Sequence, residues 1–191
     1  MSTGARAVPR HGTPAHPIRV LVVDDSPTVR QLLVGLLESD PGFVVVGEAG
    51  DGAAAVAQAV ALAPDLVTMD VHMPVLDGLQ ATREIMREAP TPILVVSSAA
   101  TRGDVQLALT ATQAGALMVV AKPTSPADPD FPTQRAQFLA MARAMAGVKV
   151  VRRWEPESAR RLRARGARPP GTAGAPAPAL TPATPGAARA T

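Results

Sequence analysis

The chain of 191 residues contains no cysteine, and only 2% of its residues are aromatic. Without cysteine, neither a disulfide framework nor a metal site with thiolate ligands can form. Because aromatic rings are scarce, a folded core must be built from Val, Leu, Ile, Met and Ala. Such a core suffices for a helix-covered parallel sheet of modest size, so the length predicts one domain with tails.

Long apolar runs are also missing from the sequence. No run approaches the roughly 20 residues that a membrane-spanning helix needs. Residues 1–17 are rich in Gly, Pro, Ala, Arg and His, and they include no apolar stretch of the kind found in secretory signals. We therefore expect a cytoplasmic protein.

The net charge of +3 is unevenly distributed along the chain. Residues 18–146 contain 14 acidic and 8 basic residues, whereas the remainder contains 2 acidic and 11 basic residues. We expect 18–146 to be an acidic folded domain, and 1–17 and 147–191 to be disordered tails, because their composition supplies too little apolar surface to fold. The basic tails lack the interleaved aromatic residues and the fold context of specific nucleic-acid readout.

Hydrophobic periodicity predicts five strands that alternate with five helices. The predicted strands are 18–23, 43–49, 66–70, 92–96 and 117–121. The first predicted helix begins near residue 27, and the other four are 53–62, 79–88, 105–114 and 135–146. This alternation implies right-handed crossovers and a parallel sheet.

Polar side chains follow four of the five predicted strands. Asp24 and Asp25 follow the first strand, Asp70 the third, Ser97 the fourth and Lys122 the fifth. Because all strands of a parallel sheet end at one edge, we expect these groups to converge there.

Three neighbouring carboxylates repel one another, and a divalent cation relieves this repulsion. Oxygen ligands suit Mg²⁺, which is typically shared with phosphate oxygens. A carboxylate that faces both the cation and a lysine can attack a phosphoryl group. The pattern therefore predicts that Asp70 is a phosphoryl acceptor, with Lys122 neutralising charge and Ser97 contacting a phosphoryl oxygen.

This ordered set of residues, over about 18–146, resembles the receiver domain of response regulators. The matching residues are Asp24-Asp25, Asp70, Met73-Pro74, Asp77-Gly78, Ser97 and Lys122-Pro123. The resemblance implies a flavodoxin-like α/β fold with a five-stranded parallel sheet in the order 2-1-3-4-5 and five helices. It also implies that Asp70 takes a phosphoryl group from a sensor histidine kinase and has autophosphatase activity.

For the metal, the resemblance implies a Mg²⁺ site formed by Asp24, Asp25 and Asp70, with the backbone carbonyl of His72 as a further ligand. It implies that a downstream protein binds the face formed by the fourth helix, the fifth strand and the fifth helix. Phosphorylation would then switch that binding.

A finer resemblance points to the receiver of the chemotaxis protein-glutamate methylesterase. It rests on Val95-Val96-Ser97-Ser98, on the loop 99–104 and on the segment 146–153. The sequence has no G-x-S-x-G-like element, so we expect the esterase domain and its Ser/His/Asp triad to be missing from this chain.

Two positions depart from the pattern. His72 replaces an acid that this lineage usually carries, so the phosphate lifetime is expected to differ. Val119 replaces an aromatic residue that rotates on activation in many receivers, so a rotating-ring switch is excluded.

Other readings remain for each residue and for the whole chain. Asp24 and Asp25 could cap a helix, Ser97 could cap the next turn, Lys122 could be a solvated loop lysine, and His72 could simply be exposed. The chain could be a phosphorylation-independent docking module, a DNA-binding regulator or a phosphohydrolase. An Ala/Pro-rich tail cannot pack a helix-turn-helix, and phosphohydrolases with an Asp nucleophile usually carry a second Asp where His72 stands.

Overall fold

Five parallel strands form one sheet at the centre of the structure, a computed structural model that describes residues 12–98, 100 and 105–150. The strands are β1 (Ile18–Val23), β2 (Phe43–Ala49), β3 (Leu66–Met69), β4 (Ile93–Ser97) and β5 (Met118–Ala121). The helices are α1 (Pro27–Glu38), α2 (Gly52–Leu62), α3 (Gly78–Glu88), α4 (Val105–Ala114) and α5 (Phe131–Ala146).

The strand order is β2-β1-β3-β4-β5, which confirms the predicted flavodoxin-like order. The pairing of β1 with β2 contains one irregularity: Val20 pairs with Val45 and Leu21 with Gly47, which leaves Val46 as an extra residue. The central position of β1 and β3 brings the residues that follow them, Asp24 and Asp70, to adjacent points on one edge.

Aliphatic side chains fill the space on both faces of the sheet, as the shortage of aromatic residues predicts. One cluster of buried residues includes Val20, Leu33, Leu94 and Phe138, which come from strands and from α1 and α5. The other includes Val67, Ile85 and Ala111, from strands and from α3 and α4. Helices therefore cover both faces, and this explains why β3 is buried throughout.

Side-chain caps fix the start of three helices at the edge where the strands end. Ser26, Asp51 and Asp77 accept hydrogen bonds from backbone N–H groups three residues later, at 3.4, 2.8 and 2.8 Å. These caps satisfy N–H groups that have no partner within the helix. Gly115 ends α4 with a φ of +112°, a conformation that favours glycine.

The last helix begins earlier than the sequence pattern predicts. α5 starts at Phe131 rather than at residue 135, because Pro132 occupies the first turn, where a proline needs no N–H partner. The prediction took this proline as part of a loop.

Residues 12–17, in the predicted N-terminal tail, form a turn in which the Gly12 N–H donates to His16 O at 2.9 Å. Arg143 of α5 donates to the Gly12 carbonyl, pairs with Asp40 Oδ2 at 2.6 Å and lies 4.8 Å from the Phe43 ring centroid. The other tail residues, 1–11 and 151–191, lie outside the described residues. Within the described part of the chain, no helix is long and apolar enough to cross a bilayer.

Candidate functional site

Three carboxylates meet at the carboxyl ends of β1 and β3. Asp24 and Asp70 are buried, whereas Asp25 is exposed. Carboxylate oxygens of the three residues all lie within 4.8 Å of one another. The backbone holds the two buried acids in place, because the Asp24 N–H donates to Ala49 O at 3.1 Å and the Asp70 N–H donates to Val23 O at 2.9 Å.

The ammonium group of Lys122 lies between the two buried acids. Its Nζ is 2.7 Å from Asp24 Oδ2 and 3.1 Å from Asp70 Oδ1. Asp24 Oδ1 accepts the Ser26 N–H at 3.0 Å, and Asp24 Oδ2 faces the Lys122 ammonium. Lys122 reaches this position with all described peptide bonds in the trans form.

The electrostatics of the pair follow from burial and from mutual contact. Burial raises the pKa of the Asp70 carboxyl above its ordinary value, although the hydrogen bond and charge of Lys122 act to lower it. Burial acts to lower the pKa of the Lys122 ammonium, but hydrogen bonds and charges from Asp24 and Asp70 outweigh this and raise it. Lys122 is therefore firmly protonated, and Asp70 is more basic than an ordinary aspartate.

The fourth strand brings Ser97 to the same edge. Ser97 is the buried last residue of β4, and it pairs with Ala121 of β5, the residue before Lys122. The Lys122 N–H donates to the Ser97 carbonyl at 3.2 Å. The backbones of the predicted hydroxyl and amine residues are thus directly joined.

His72 and Val119 stand at the two positions that depart from the receiver pattern. His72 is exposed in the loop after Asp70, and Val119 is partly buried against the cluster that contains Val67 and Ile85. The metal-ligand role of the His72 carbonyl stays a prediction.

At the end of the loop that follows Asp70, Gly78 packs closely against the backbone carbonyl of Asp70. A Cβ at Gly78 would overlap the carbonyl oxygen of Asp70, so only glycine fits there. The Gly78 N–H also donates to Val71 O at 3.0 Å. As a motif, Asp77-Gly78 did not predict this close approach, although an Asp-Gly pair before a helix is a signal for it.

The chemistry of the donor set suits a hard divalent cation. It offers carboxylate oxygens from three residues, and these oxygens lie close together. Mg²⁺ prefers such oxygen ligands. Asp24, Asp25 and Asp70 could therefore hold a metal ion.

The sequence matches the response regulator receiver domain family over residues 20–128, more than half of the chain. The chain belongs to the response-regulator receiver family. Its receiver is 52% identical, over 143 residues, to protein-glutamate methylesterase/protein-glutamine glutaminase 4 of Myxococcus xanthus. That match covers 75% of this chain but 40% of the relative, so the chain spans about two-fifths of the length of such curated relatives.

Solved structures agree with this assignment. The response regulator domain of Thermotoga maritima CheB matches with a TM-score of 0.63 and 38% identity, covering 70% of this chain and 99% of that domain. A chain from the complex of the CheA3 P1 domain with CheY6 from R. sphaeroides matches with a TM-score of 0.56 and 30% identity, covering 67% and 98%. The receiver is thus of the CheB type.

Proposed function

We propose that Asp70 accepts a phosphoryl group from a phosphohistidine of a sensor histidine kinase, in a Mg²⁺-dependent reaction, and that this switches partner binding in chemotaxis-like signalling. The observation that carries the proposal is the position of the Lys122 ammonium, in contact with Asp70 at the edge where three carboxylates meet. A lysine that was simply a solvated loop residue would not contact two buried carboxylates.

In the transfer, a carboxylate oxygen of Asp70 attacks the phosphorus atom. A bond from this oxygen to phosphorus forms, the bond from phosphorus to the histidine nitrogen breaks, and the electron pair stays on that nitrogen. The Lys122 ammonium neutralises the negative charge that builds up on the phosphoryl oxygens during the transfer. A cation held by Asp24, Asp25 and Asp70, with the His72 carbonyl, would supply further positive charge to those oxygens.

Release of the phosphoryl group follows from the same geometry. Water attack on phosphorus breaks the bond to the Asp70 oxygen and returns the carboxylate with inorganic phosphate. His72 is exposed beside the acceptor, where a side chain can alter the access of water, and we propose that it helps to set the lifetime of the phosphorylated state.

The output in this proposal lies at α4, β5 and α5. The Ser97 hydroxyl would contact a phosphoryl oxygen, and the Ser97 backbone is paired with β5. Apolar side chains are exposed on these elements, with 78% of Val105, 51% of Leu109 and 37% of Met118 accessible. With Val at position 119, a shift of the backbone rather than the rotation of a ring would carry the signal.

The test is phosphorylation by a small phosphodonor with Mg²⁺, followed by intact-mass measurement of a labile addition of about 80 daltons, the mass of one phosphoryl group. Asp70→Asn removes the nucleophile and is expected to abolish the addition. Asp130→Asn is the matched control, because Asp130 is exposed and its side chain makes no capping hydrogen bond.

Equal addition to the wild type and to Asp70→Asn would refute the assignment. The docking-module alternative makes a separate forecast: Asp70→Asn would bind the partner as well as the phosphorylated wild type does.

A further inference from the structure

The loop that follows Lys122 is fastened to the first turn of α5. The backbone N–H of Thr124 donates to Gln134 Oε1 at 2.8 Å. The Thr124 hydroxyl lies 3.0 Å from the same oxygen and 2.8 Å from Asp128 Oδ2, so it can donate to either. One side chain of α5 therefore holds the main chain two residues beyond Lys122.

The backbone of Lys122 is consequently held from both sides. Before it, the Lys122 N–H donates to Ser97 O at 3.2 Å. After it comes Pro123, which is buried and whose ring fixes φ, and then Thr124 with its bond to Gln134. Little rotational freedom remains between the two hydrogen bonds, so the direction in which the Lys122 side chain leaves the backbone is fixed.

The rest of the loop closes on Asp128. The Asp130 N–H donates to Asp128 Oδ1 at 2.9 Å, and the Asp128 N–H donates to Ser125 O at 2.8 Å. The hydrogen bond from Asp130, followed by that from Thr124, lowers the pKa of the Asp128 carboxyl. Asp128 thus stays ionised and keeps the loop folded while Gln134 holds Thr124.

The helix that carries Gln134 is itself anchored elsewhere. Arg135 Nη2 donates to Ser39 Oγ at 2.7 Å, and Arg143 pairs with Asp40. Both contacts tie α5 to the segment between α1 and β2. Gln134 therefore connects the Lys122 loop to a fixed part of the domain.

We propose that Gln134 is a positioning residue for phosphoryl transfer, which it assists by holding the backbone beyond Lys122 so that the ammonium stays in contact with Asp70. This role rests on the proposed function of Asp70. Gln134 itself contacts Thr124 and not the acids, so it acts through Lys122.

The first experiment measures the initial rate of phosphorylation by acetyl phosphate with Mg²⁺ in the full chain. Gln134→Met keeps the length of the side chain but removes the acceptor oxygen, and we expect the rate to fall about tenfold, as misplacing a catalytic group does. Gln134→Glu retains an acceptor and should recover most of the rate. Gln137→Met, at an exposed glutamine of the same helix, is the matched control.

A double-mutant cycle separates positioning from general damage to the fold. If Gln134 acts through Lys122, Gln134→Met should change the rate less than twofold in a Lys122→Ala background. Urea unfolding of every variant checks that the domain remains folded. An unchanged rate in Gln134→Met, or the same tenfold loss without Lys122, overturns the positioning role while leaving Asp70 as the acceptor.

The outcome for the wild type distinguishes the two proposals. A wild-type chain that takes no phosphoryl group overturns the function of Asp70, and the role of Gln134 with it. If the wild type is phosphorylated and Gln134→Met is phosphorylated at the same rate, only the role of Gln134 is overturned.

Discussion

The two sides of the candidate site are packed very differently. The acids follow β1 and β3, and all four residues of β3 are buried. Lys122 follows β5, an edge strand in which only Val120 is buried. The helices differ in the same way: α3 buries Ala81, Thr82 and Ile85 besides its first glycine, whereas α4 buries only two alanines and exposes Leu109.

This difference separates the site, which is held in place, from neighbouring elements that can move at low cost. Elements with few buried apolar contacts open and shift more easily than the core does. The buried acids are held by the core and Lys122 by the hydrogen bonds before and after it, whereas α4 and β5 bury few side chains. A site arranged in this way can bind a phosphoryl group at a constant position and still change the shape of one face.

The largest predicted loss of stability comes from a substitution at Gly78, which contacts the tightly packed acid side of the site. Gly78→Ala places a methyl group against the Asp70 carbonyl, and we expect it to lower the free energy of unfolding by about 4 kcal/mol. Gly35→Ala, in α1, is the control: apart from neighbouring residues and its own helix backbone, the new methyl meets no described atom within 4 Å, so the change should stabilise the domain by about 0.5–1 kcal/mol. Urea unfolding measures both, and a tolerated Gly78→Ala would contradict the close approach.

A smaller effect compares the two helices directly. Ile85→Ala empties a fully buried position on α3 and should cost about 2–4 kcal/mol. Leu109→Ala removes a side chain on α4 that is half exposed and should cost less than about 1 kcal/mol. Equal losses in urea unfolding would show that α4 is as firmly packed as α3, and the contrast between the two sides would fail.

The smallest predicted effect is a change in stability on substitution of Thr68, a polar residue within β3. The hydroxyl of Thr68 is buried and has no hydrogen-bond partner among the residues that the structure describes. Thr68→Val replaces it with a methyl group of similar shape, so the unfolding free energy should rise by about 1 kcal/mol because an unsatisfied buried group is removed. A loss of stability in thermal and urea unfolding would mean that this hydroxyl has a partner, such as a buried water.

The sequence was a good guide to the sheet and to the acids. Apolar runs that end abruptly in Asp24 or Asp70 mark buried strands, and the order of a parallel sheet then brings their ends together. The N-caps of α1 and α3 are local as well, because Ser26 and Asp77 each accept a hydrogen bond from the N–H group three residues later. In each case the information lies within a few neighbouring residues.

What the sequence could not show depends on contacts between distant segments. Nothing near Lys122 indicates that its ammonium also pairs with Asp24, nor that Gln134 holds the loop beyond it. The start of α5 was misplaced because Pro132 is compatible with a loop as well as with a first turn. On α3, Ile85 is fully buried, and Leu79 and Met86 are partly buried against the same core cluster.

The turn at residues 12–17 has a practical bearing on where the domain starts. Arg143 contacts the Gly12 carbonyl, Asp40 and the Phe43 ring, so it holds the last turns of α5 against the turn that precedes β1. A protein expressed from Ile18, the first residue of β1, would lack the Gly12 carbonyl that accepts a hydrogen bond from Arg143. The natural cut for a minimal receiver is upstream of Gly12.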